Sequence, residues 1–255
     1  MPLITISPYP WLQDVLAMIV TFGLALLWLR ITDVLAARRI VSQDVSRKLI
    51  HIGTGPIYVL CWLLYSGQAQ SRWLAALVPL MITLQFALIG IGVLHDEAAV
   101  KAMSRSGNRR ELLYGPLQYG IIFVVITLVF WLDTPVGIIA LMILCAGDGL
   151  ADLAGRRFGA AKLPLNPRKS WAGSAAMLIF GFLLAYAYVA LFTSLGVFTL
   201  SLAGAILPIL VIALAATVVE AVSGADMDNI TITVTALGMA WLLTDATGLW
   251  NVAFI

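Results

Sequence analysis

Two aspartates stand in a short polar stretch, from Gly147 to Ser174, that also carries several cations between strongly apolar flanks. Asp148 and Asp152 are four residues apart, so on a helix they share a face. At about 1.5 Å per residue, Asp152 lies roughly 6 Å and Asp148 roughly 12 Å before Arg156, near the end of a membrane helix. Carboxylates at that depth are costly unless they bind something. We therefore interpret both as functional, although pairing with the neighbouring cations as ordinary helix-end charges is the alternative.

A second acidic stretch, VVEAVSGADMDNITI, follows a later apolar segment and contains no cation. A solvated acidic turn would explain Asp226 well but Glu220 poorly, because Glu220 still lies within the apolar segment. Hard oxygen ligands gathered near a phosphate are typical of magnesium sites. The sequence therefore predicts bound Mg²⁺, with four candidate ligands: Asp148, Asp152, Glu220 and Asp228.

Lysines and arginines accompany these carboxylates, as transfer of a phosphoryl or nucleotidyl group requires, because they offset the charge that spreads over the moving group. Pro164 and Pro167 stiffen the loop before Ser170, which is an N-cap candidate whose helix N-terminus would receive phosphate. The predicted catalytic residues are Asp148, Asp152 and Lys169, with the choice of base between the two aspartates left open. The predicted nucleotide-binding residues are Lys48, Arg156, Arg157, Lys162, Arg168, Lys169, Ser170 and Asn229.

His51 is a further candidate, since it falls inside an apolar segment one turn beyond Arg47 and Lys48. A histidine satisfied within the core and a histidine that serves the site are equally compatible with this position. The two cations are also explained as anchors at the membrane surface. No G-x-x-x-x-G-K-[ST] motif is present, so a P-loop is not how a nucleotide would be held.

The elements that must position these residues are membrane helices. Of the 255 residues, 62% are hydrophobic and 11% charged, against about 25% charged in soluble domains. We predict an all-α, polytopic membrane bundle that forms a single domain over residues 1–255, because no polar stretch is long enough to fold separately. It has about eight spans, or seven if the last, interrupted by Thr244, Asp245 and Gly248, does not cross. The predicted spans are 11–30, 49–66, 73–94, 115–132, 134–155, 172–194, 199–222 and 230–250.

The loops between these segments differ sharply in charge. All but one of the 15 Lys and Arg follow the first, third and fifth segments, and the exception is Arg72. The positive-inside rule then places those loops in the cytoplasm and both termini outside. The connection from Ile31 to Lys48 keeps apolar spacing between its charges, which favours an amphipathic helix along the interface.

The remaining sequence signals are mostly negative. Cys61 and Cys145 fall inside apolar segments and are expected to be buried thiols, with no disulfide framework and no zinc pattern. The N-terminal stretch MPLITISPYPWLQD lacks a basic region and a small-residue cleavage site, so we expect neither a signal nor a transit peptide.

Several motifs together resemble the phytol kinase branch of the polyprenol kinase family. GDGLADLAGRRFG followed by KLPLNPRKSWAGS is similar to that family's signature. SRKLIHIGTG, RELLYGP and VEAVSGADMDNITI resemble its other segments in the same order, so the resemblance covers about residues 46–235. One departure is TITVT, where the family pattern leads us to expect a proline.

This resemblance implies an integral membrane enzyme that phosphorylates phytol or a similar isoprenoid alcohol, using CTP or sometimes UTP with Mg²⁺. It implies phytol salvage towards tocopherol and related prenyl lipids in a photosynthetic organism. The expected location is a bacterial or cyanobacterial-type inner or thylakoid membrane, with the active site facing the cytoplasm. The expected partners are the alcohol, a nucleoside triphosphate and membrane lipid, without nucleic acid.

Two other function classes compete with a kinase. A lipid-phosphate cytidylyltransferase needs the same metal and cations but releases pyrophosphate instead of CDP. A transporter places ionisable groups near the bilayer midplane, whereas here they crowd at one end of the spans. We therefore rank the kinase first, the cytidylyltransferase second and the transporter third.

Overall fold

The computed structural model describes residues 4–224 and 227–247, with side chains given as far as Leu243. Asp226 and Gly248 lie outside the described residues, and Thr244 and Asp245 are described only by their helical backbone. Within the described part, the regular structure is helical apart from one isolated bridge. The α-helices are α1 (Pro10–Ala37), α2 (Gln43–Cys61), α3 (Ser71–Ile91), α4 (Glu97–Met103), α5 (Gly115–Val129), α6 (Val136–Met142), α7 (Gly149–Phe158), α8 (Trp171–Ser194), α9 (Leu202–Val222) and α10 (Asp228–Thr247).

Each of the eight predicted apolar segments contains a long helix or a continuous helical rod. Six of them are long and apolar enough to cross a membrane, among the residues the structure describes: Pro10–Ala37, Ser71–Ile91, Arg109–Val129, Val136–Phe158, Trp171–Ser194 and Leu202–Val222. Of the other two, α2 begins with charged residues and the apolar part of α10, Asp228–Leu243, is shorter. The protein is thus a polytopic membrane helix bundle, as predicted.

The chain divides into two compact units, Met1–Val129 and Phe130–Ile255, and each is described by itself. The single membrane domain, the span count and the membrane sidedness stay predictions. The amphipathic helix proposed for Ile31 to Lys48 is wrong. Instead α1 continues to Ala37, the chain turns at Arg39 with a φ of 59°, and α2 begins at Gln43.

In the first unit, buried polar side chains form hydrogen bonds that connect neighbouring helices near their ends. Asp14 in α1 is buried and accepts hydrogen bonds from the backbone N–H of Ser66 at 2.6 Å and from the hydroxyl of Ser71 at 2.7 Å. Arg72 is also buried and donates to the carbonyl of Leu128 at 3.1 Å, in the last turn of α5. Because the last carbonyls of a helix lack internal partners, this arginine caps α5.

The second unit is built around one helical rod. It runs through α6, a wide π-helical turn from Ile143 to Asp148, and α7. Every residue from Val136 to Gly149 is buried, and α8, α9 and α10 all contact this stretch. A helix that is hydrophobic on all sides belongs in a core, so the apolar sequence explains why this rod is central.

Glycines allow α7 and α8 to approach closely. A Cβ atom on Gly173 would lie 3.0 Å from the carbonyl oxygen of Ala151 and 3.7 Å from Cα of Gly155. Only a residue without a side chain fits this contact without moving backbone. The close approach brings the start of α8 beside α7.

Candidate active site

Three carboxylates from three helical elements converge in the second unit. Asp148 ends the π-helical turn, Glu220 lies in the last turn of α9, and Asp228 begins α10. One oxygen from each lies within 4.8 Å of the others. Asp148 and Glu220 are buried, at 8% and 3% exposure, and the side chain of Asp228 is 14% exposed. The fold therefore concentrates negative charge where little water reaches it.

Lys169 supplies a cation to this cluster. Its ammonium donates to Asp228 Oδ2 at 2.8 Å and also to Glu220 Oε1. Burial alone would lower the pKa of Lys169, but the charge of Glu220 and the hydrogen bonds to both carboxylates outweigh it and raise that pKa above its ordinary value. Lys169 is therefore charged at neutral pH and bridges α9 and α10.

The loop from Gly159 to Ser170 carries Lys169 in a defined conformation. Lys162 and Ser170 form an antiparallel bridge, and the N–H of Leu163 donates to the carbonyl of Lys169 at 3.2 Å. The hydroxyl of Ser170 accepts from the N–H of Gly173 at 3.2 Å, which confirms the predicted N-cap of α8. Its contact with a nucleotide stays a prediction.

Asn166 is a residue that the sequence analysis missed. Its amide Nδ2 donates to the carbonyl of Ala221 at 3.2 Å and to that of Ser223 at 3.3 Å, so it holds the loop against the end of α9. The available signal was the Asn-Pro dipeptide at 166–167, which favours a turn, but nothing in the sequence pairs that turn with α9.

A second pair of residues fixes the spacing between α9 and α10. The hydroxyl groups of Ser223 and Thr231 are 2.8 Å apart and hydrogen-bonded. The Ser223 hydroxyl is also 2.7 Å from the carbonyl of Val219 and donates to it. Thr231 opens the TITVT segment that departs from the family pattern, and here its hydroxyl joins the two helices that carry Glu220 and Asp228.

Asp152 has different surroundings from Asp148. Its Oδ1 accepts from Nε of Arg156 at 3.1 Å, and the two side chains are 28% and 47% exposed. Asp152 does not belong to the three-carboxylate cluster among the residues described. The structure thus separates the two aspartates that the sequence places on one face, and their roles stay predictions.

The other predicted nucleotide-binding residues of this unit differ in their exposure to solvent. Arg157 is exposed, with its guanidinium 5.6 Å from the ring centre of Phe158. Lys162 and Arg168 are exposed on the loop, and Asn229 follows Asp228 in α10 and is half-buried. These four residues form no part of the carboxylate cluster, and their nucleotide contacts stay predictions.

Lys48 and His51 belong to α2 in the first unit. The imidazole of His51 packs at 4.5 Å, centre to centre, against the ring of Tyr119, and the Tyr119 hydroxyl donates to the His51 carbonyl at 2.8 Å. These contacts give His51 a packing role inside its own unit. Any role at the active site is still a prediction for both residues.

The chemistry of the carboxylate cluster suits a hard divalent cation. Oxygens around an octahedral ion with bonds of about 2.1 Å lie about 3 Å apart as neighbours and about 4.2 Å apart across the ion. The limit of 4.8 Å between the three carboxylate oxygens is close to these values. Magnesium keeps several waters and needs few protein ligands, so the residues present fit it.

Comparison with known proteins gives several relatives that match most of the chain. A probable chloroplastic phytol kinase of Triticum aestivum is 44% identical over 216 residues, which cover 84% of this chain and 72% of the relative. A chloroplastic farnesol kinase of Arabidopsis thaliana is 43% identical over 234 residues, 91% of this chain and 76% of the relative. The chloroplastic phytol kinase 1 of Arabidopsis thaliana is 37% identical over 233 residues, 91% and 77%.

No protein-family profile matches the chain, and no solved structure does. The family assignment therefore rests on these relatives, whose sequence identity and coverage are well above those of chance similarity. This chain belongs to the family of phytol and farnesol kinases.

Proposed function

We propose that this protein is a membrane-embedded kinase that transfers the γ-phosphoryl group of CTP or UTP to the hydroxyl of phytol or a similar prenyl alcohol. The names of the relatives support the alcohol and the reaction class. The observation that carries the proposal is the cluster of Asp148, Glu220 and Asp228, which lie on the central rod, α9 and α10 and are bridged by Lys169 from the loop before α8. Such a site meets a water-soluble phosphate donor and a lipid acceptor at one place.

Asp148, Glu220 and Asp228 would hold Mg²⁺, with Asp152 one helical turn from Asp148 as the remaining ligand candidate. When bound, the ion offsets charge on the phosphates of the nucleotide. The protein's own contribution is to hold these carboxylates close together on three helical elements and to bridge two of them with the Lys169 ammonium.

In the reaction, the alcohol oxygen attacks the γ-phosphorus, the bond from that phosphorus to the β-phosphate oxygen breaks, and CDP or UDP leaves. Asp148 or Asp152 accepts the hydroxyl proton, and Asp152 is the better placed of the two because it stands outside the cluster that would hold the metal. A loose transition state needs that proton removed only late, so a weakly basic carboxylate suffices. Lys169 and Arg168 stabilise the charge on the transferring group.

The prenyl tail enters sideways from the bilayer, where apolar side chains on the outer faces of α8 and α9 meet lipid. The phosphorylated alcohol would feed prenyl-lipid synthesis such as that of tocopherol. We further propose that the site faces the side of the membrane that carries the cation-rich loops, which the positive-inside rule makes the cytoplasmic side in a bacterial-type membrane.

The test is purified protein in detergent or liposomes with labelled CTP, UTP or ATP, Mg²⁺, and a panel of phytol, farnesol and geranylgeraniol. We expect a prenyl monophosphate and CDP or UDP in equal amounts. A CMP-lipid formed with pyrophosphate would instead show a cytidylyltransferase. Absence of nucleotide consumption with every alcohol would reject the kinase and favour a transporter.

The Asp148→Asn variant is the matched negative control for this assay, because it keeps size and removes one carboxylate of the cluster. The Glu97→Gln variant is the matched positive control, since Glu97 is exposed on α4. A kinase that uses the proposed site loses activity in the first variant and keeps it in the second.

A further inference from the structure

The loop that carries Lys169 meets the end of α9 through two different side chains. Lys169 reaches Glu220 and Asp228, while Asn166 reaches the carbonyls of Ala221 and Ser223, at 3.2 and 3.3 Å. Both side chains join the loop to the end of α9, and the two carbonyls that Asn166 contacts lie within three residues of Glu220. The loop is therefore held to α9 independently of the ion pair.

We propose that Asn166 is a positioning residue for the phosphoryl transfer, which acts by fixing where the Lys169 ammonium lies relative to Glu220 and Asp228. The proposal rests on the kinase function proposed above. Asn166 itself touches no reacting group. Its effect reaches the reaction through the backbone of the turn that it shares with Lys169.

The turn geometry links the two residues directly. The carbonyl of Asn166 accepts from the N–H of Lys169 at 2.9 Å, and the Asn166 Oδ1 accepts from the N–H of Arg168 at 3.3 Å. One residue thus closes the turn and anchors it to α9. Lysine has a long and flexible stem, so without a fixed backbone its ammonium has many alternative positions.

The contacts of residue 166 require an amide side chain rather than a carboxylate. The carbonyls of Ala221 and Ser223 lie at the end of α9, where helix carbonyls lack internal partners and need a donor. The two N–H bonds of one Nδ2 supply that donor. An aspartate keeps the shape but would place a carboxylate oxygen against two carbonyl oxygens, so Asn166→Asp should disturb the turn at least as much as Asn166→Ala.

The first measurement is steady-state kinetics of both variants with saturating nucleotide and a prenyl alcohol. We expect kcat to fall by about tenfold or more while the KM for the alcohol changes by less than about threefold. The control is Leu165→Ala, at the neighbouring position, where the side chain is 86% exposed and kcat should stay within about twofold of wild type. Unchanged kcat in both Asn166 variants overturns the proposal.

A double-mutant cycle with Lys169→Ala then separates positioning from a general structural role. If Asn166 acts through Lys169, Asn166→Ala should lower the residual activity of Lys169→Ala by less than about twofold. Fully multiplicative effects overturn the proposal, because they show that Asn166 acts by another route. Thermal midpoints of all variants are measured in detergent, and assays run well below the lowest midpoint exclude loss of folded protein as the cause.

A readout without turnover keeps this proposal separate from the kinase function. Lys169 should be acylated by an amine-reactive reagent faster in Asn166→Asp than in wild type, with the exposed Lys162 as internal reference in the same mass spectrum. Faster labelling of Asn166→Asp than of wild type, when the wild-type protein phosphorylates no alcohol, supports the positioning and rejects the kinase. Equal labelling in an active enzyme rejects the positioning and leaves the kinase standing.

Discussion

The ammonium of Lys169 lies 2.8 Å from a carboxylate oxygen of Asp228, 59 positions later in the chain. The same ammonium pairs with Glu220 in α9. One cation therefore offsets two of three clustered carboxylates, in surroundings where like charges repel strongly. In the proposed function, the stability of the second unit and the chemistry of its site would depend on the same contact.

Replacement of Lys169 by methionine should destabilise the protein markedly. Removal of one partner from a buried ion pair costs about 3–5 kcal/mol, because the remaining charge stays buried. We expect a large fall in thermal midpoint, measured by scanning fluorimetry in detergent. The double variant Lys169→Met with Glu220→Gln should recover part of that loss, and a midpoint as low as that of the single variant would contradict the pairing.

The cluster also predicts which variants change the response to metal. Asp148→Asn, Glu220→Gln and Asp228→Asn should each raise the Mg²⁺ concentration that gives half-maximal activity, because each removes one hard oxygen ligand. Mn²⁺ titration followed by electron paramagnetic resonance provides a measurement independent of turnover. Wild-type affinity in all three variants would place the metal elsewhere, and chelation of the ion should abolish activity reversibly.

Asp152→Asn should separate activity from stability. The ion pair of Asp152 with Arg156 is partly exposed, and such pairs contribute about 0–1 kcal/mol. We therefore expect the thermal midpoint to stay near that of wild type while kcat collapses, because the isosteric amide neither accepts the proton nor ligates metal. Near-normal turnover at saturating nucleotide would remove Asp152 from the site.

Three glycines, Gly173 and Gly181 in α8 and Gly238 in α10, predict a graded series of alanine variants. A Cβ on Gly173 meets a backbone oxygen at 3.0 Å, whereas one on Gly181 meets its nearest atom at 3.6 Å and one on Gly238 meets nothing within 4 Å. Gly173→Ala should lower the thermal midpoint, Gly181→Ala should change it little, and Gly238→Ala should raise it slightly, since alanine is favoured over glycine in a helix by about 0.5–1 kcal/mol. Equal effects at all three positions would refute the close contact.

Labelling of single-cysteine variants tests which side of the membrane each loop faces. Ala160 and Gln68 are exposed at loops that the charge distribution places on opposite sides. In intact cells, an impermeant thiol reagent should label Gln68→Cys and spare Ala160→Cys. The native Cys61 and Cys145 are buried, as predicted, so their background labelling should be low. The reverse labelling pattern would invert the assigned topology.

Sequence alone predicts the helices of this protein well, because an apolar run of span length leaves few alternatives. It also singled out Glu220, since a carboxylate inside such a run stands out. It grouped Asp152 with Asp148, Glu220 and Asp228 and did not separate the two aspartates, because helix periodicity does not indicate which neighbouring helix each side chain meets. Which neighbouring helix a side chain meets is determined by the tertiary structure.

Two further residues have structural roles that the local sequence pattern does not reveal. Arg72 is the exception to the charge rule, and the structure gives its reason in the cap on α5, a contact 56 residues away along the chain. Asn166 reads locally as a turn residue before proline, yet its partners belong to α9. Contacts between residues distant in the sequence leave no periodic pattern. Sequence reasoning therefore classifies Arg72 as a charged loop residue and Asn166 as a turn residue, but it does not identify their partners.

The π-helical turn from Ile143 to Asp148 sets the angular phase between the two halves of the central rod. Each residue of an α-helix advances the chain by about 100°, and a π turn accommodates one extra residue without passing that rotation on. Deletion of Ala146 would let the turn close into regular α-helix. Because the turn absorbs that residue, Asp148 would still face Glu220 and Asp228 and the buried face of α6 would keep its place. A full-length chain that closed the turn into regular α-helix would instead pass the extra rotation of about 100° into α7 and turn Asp148 away from the other two carboxylates.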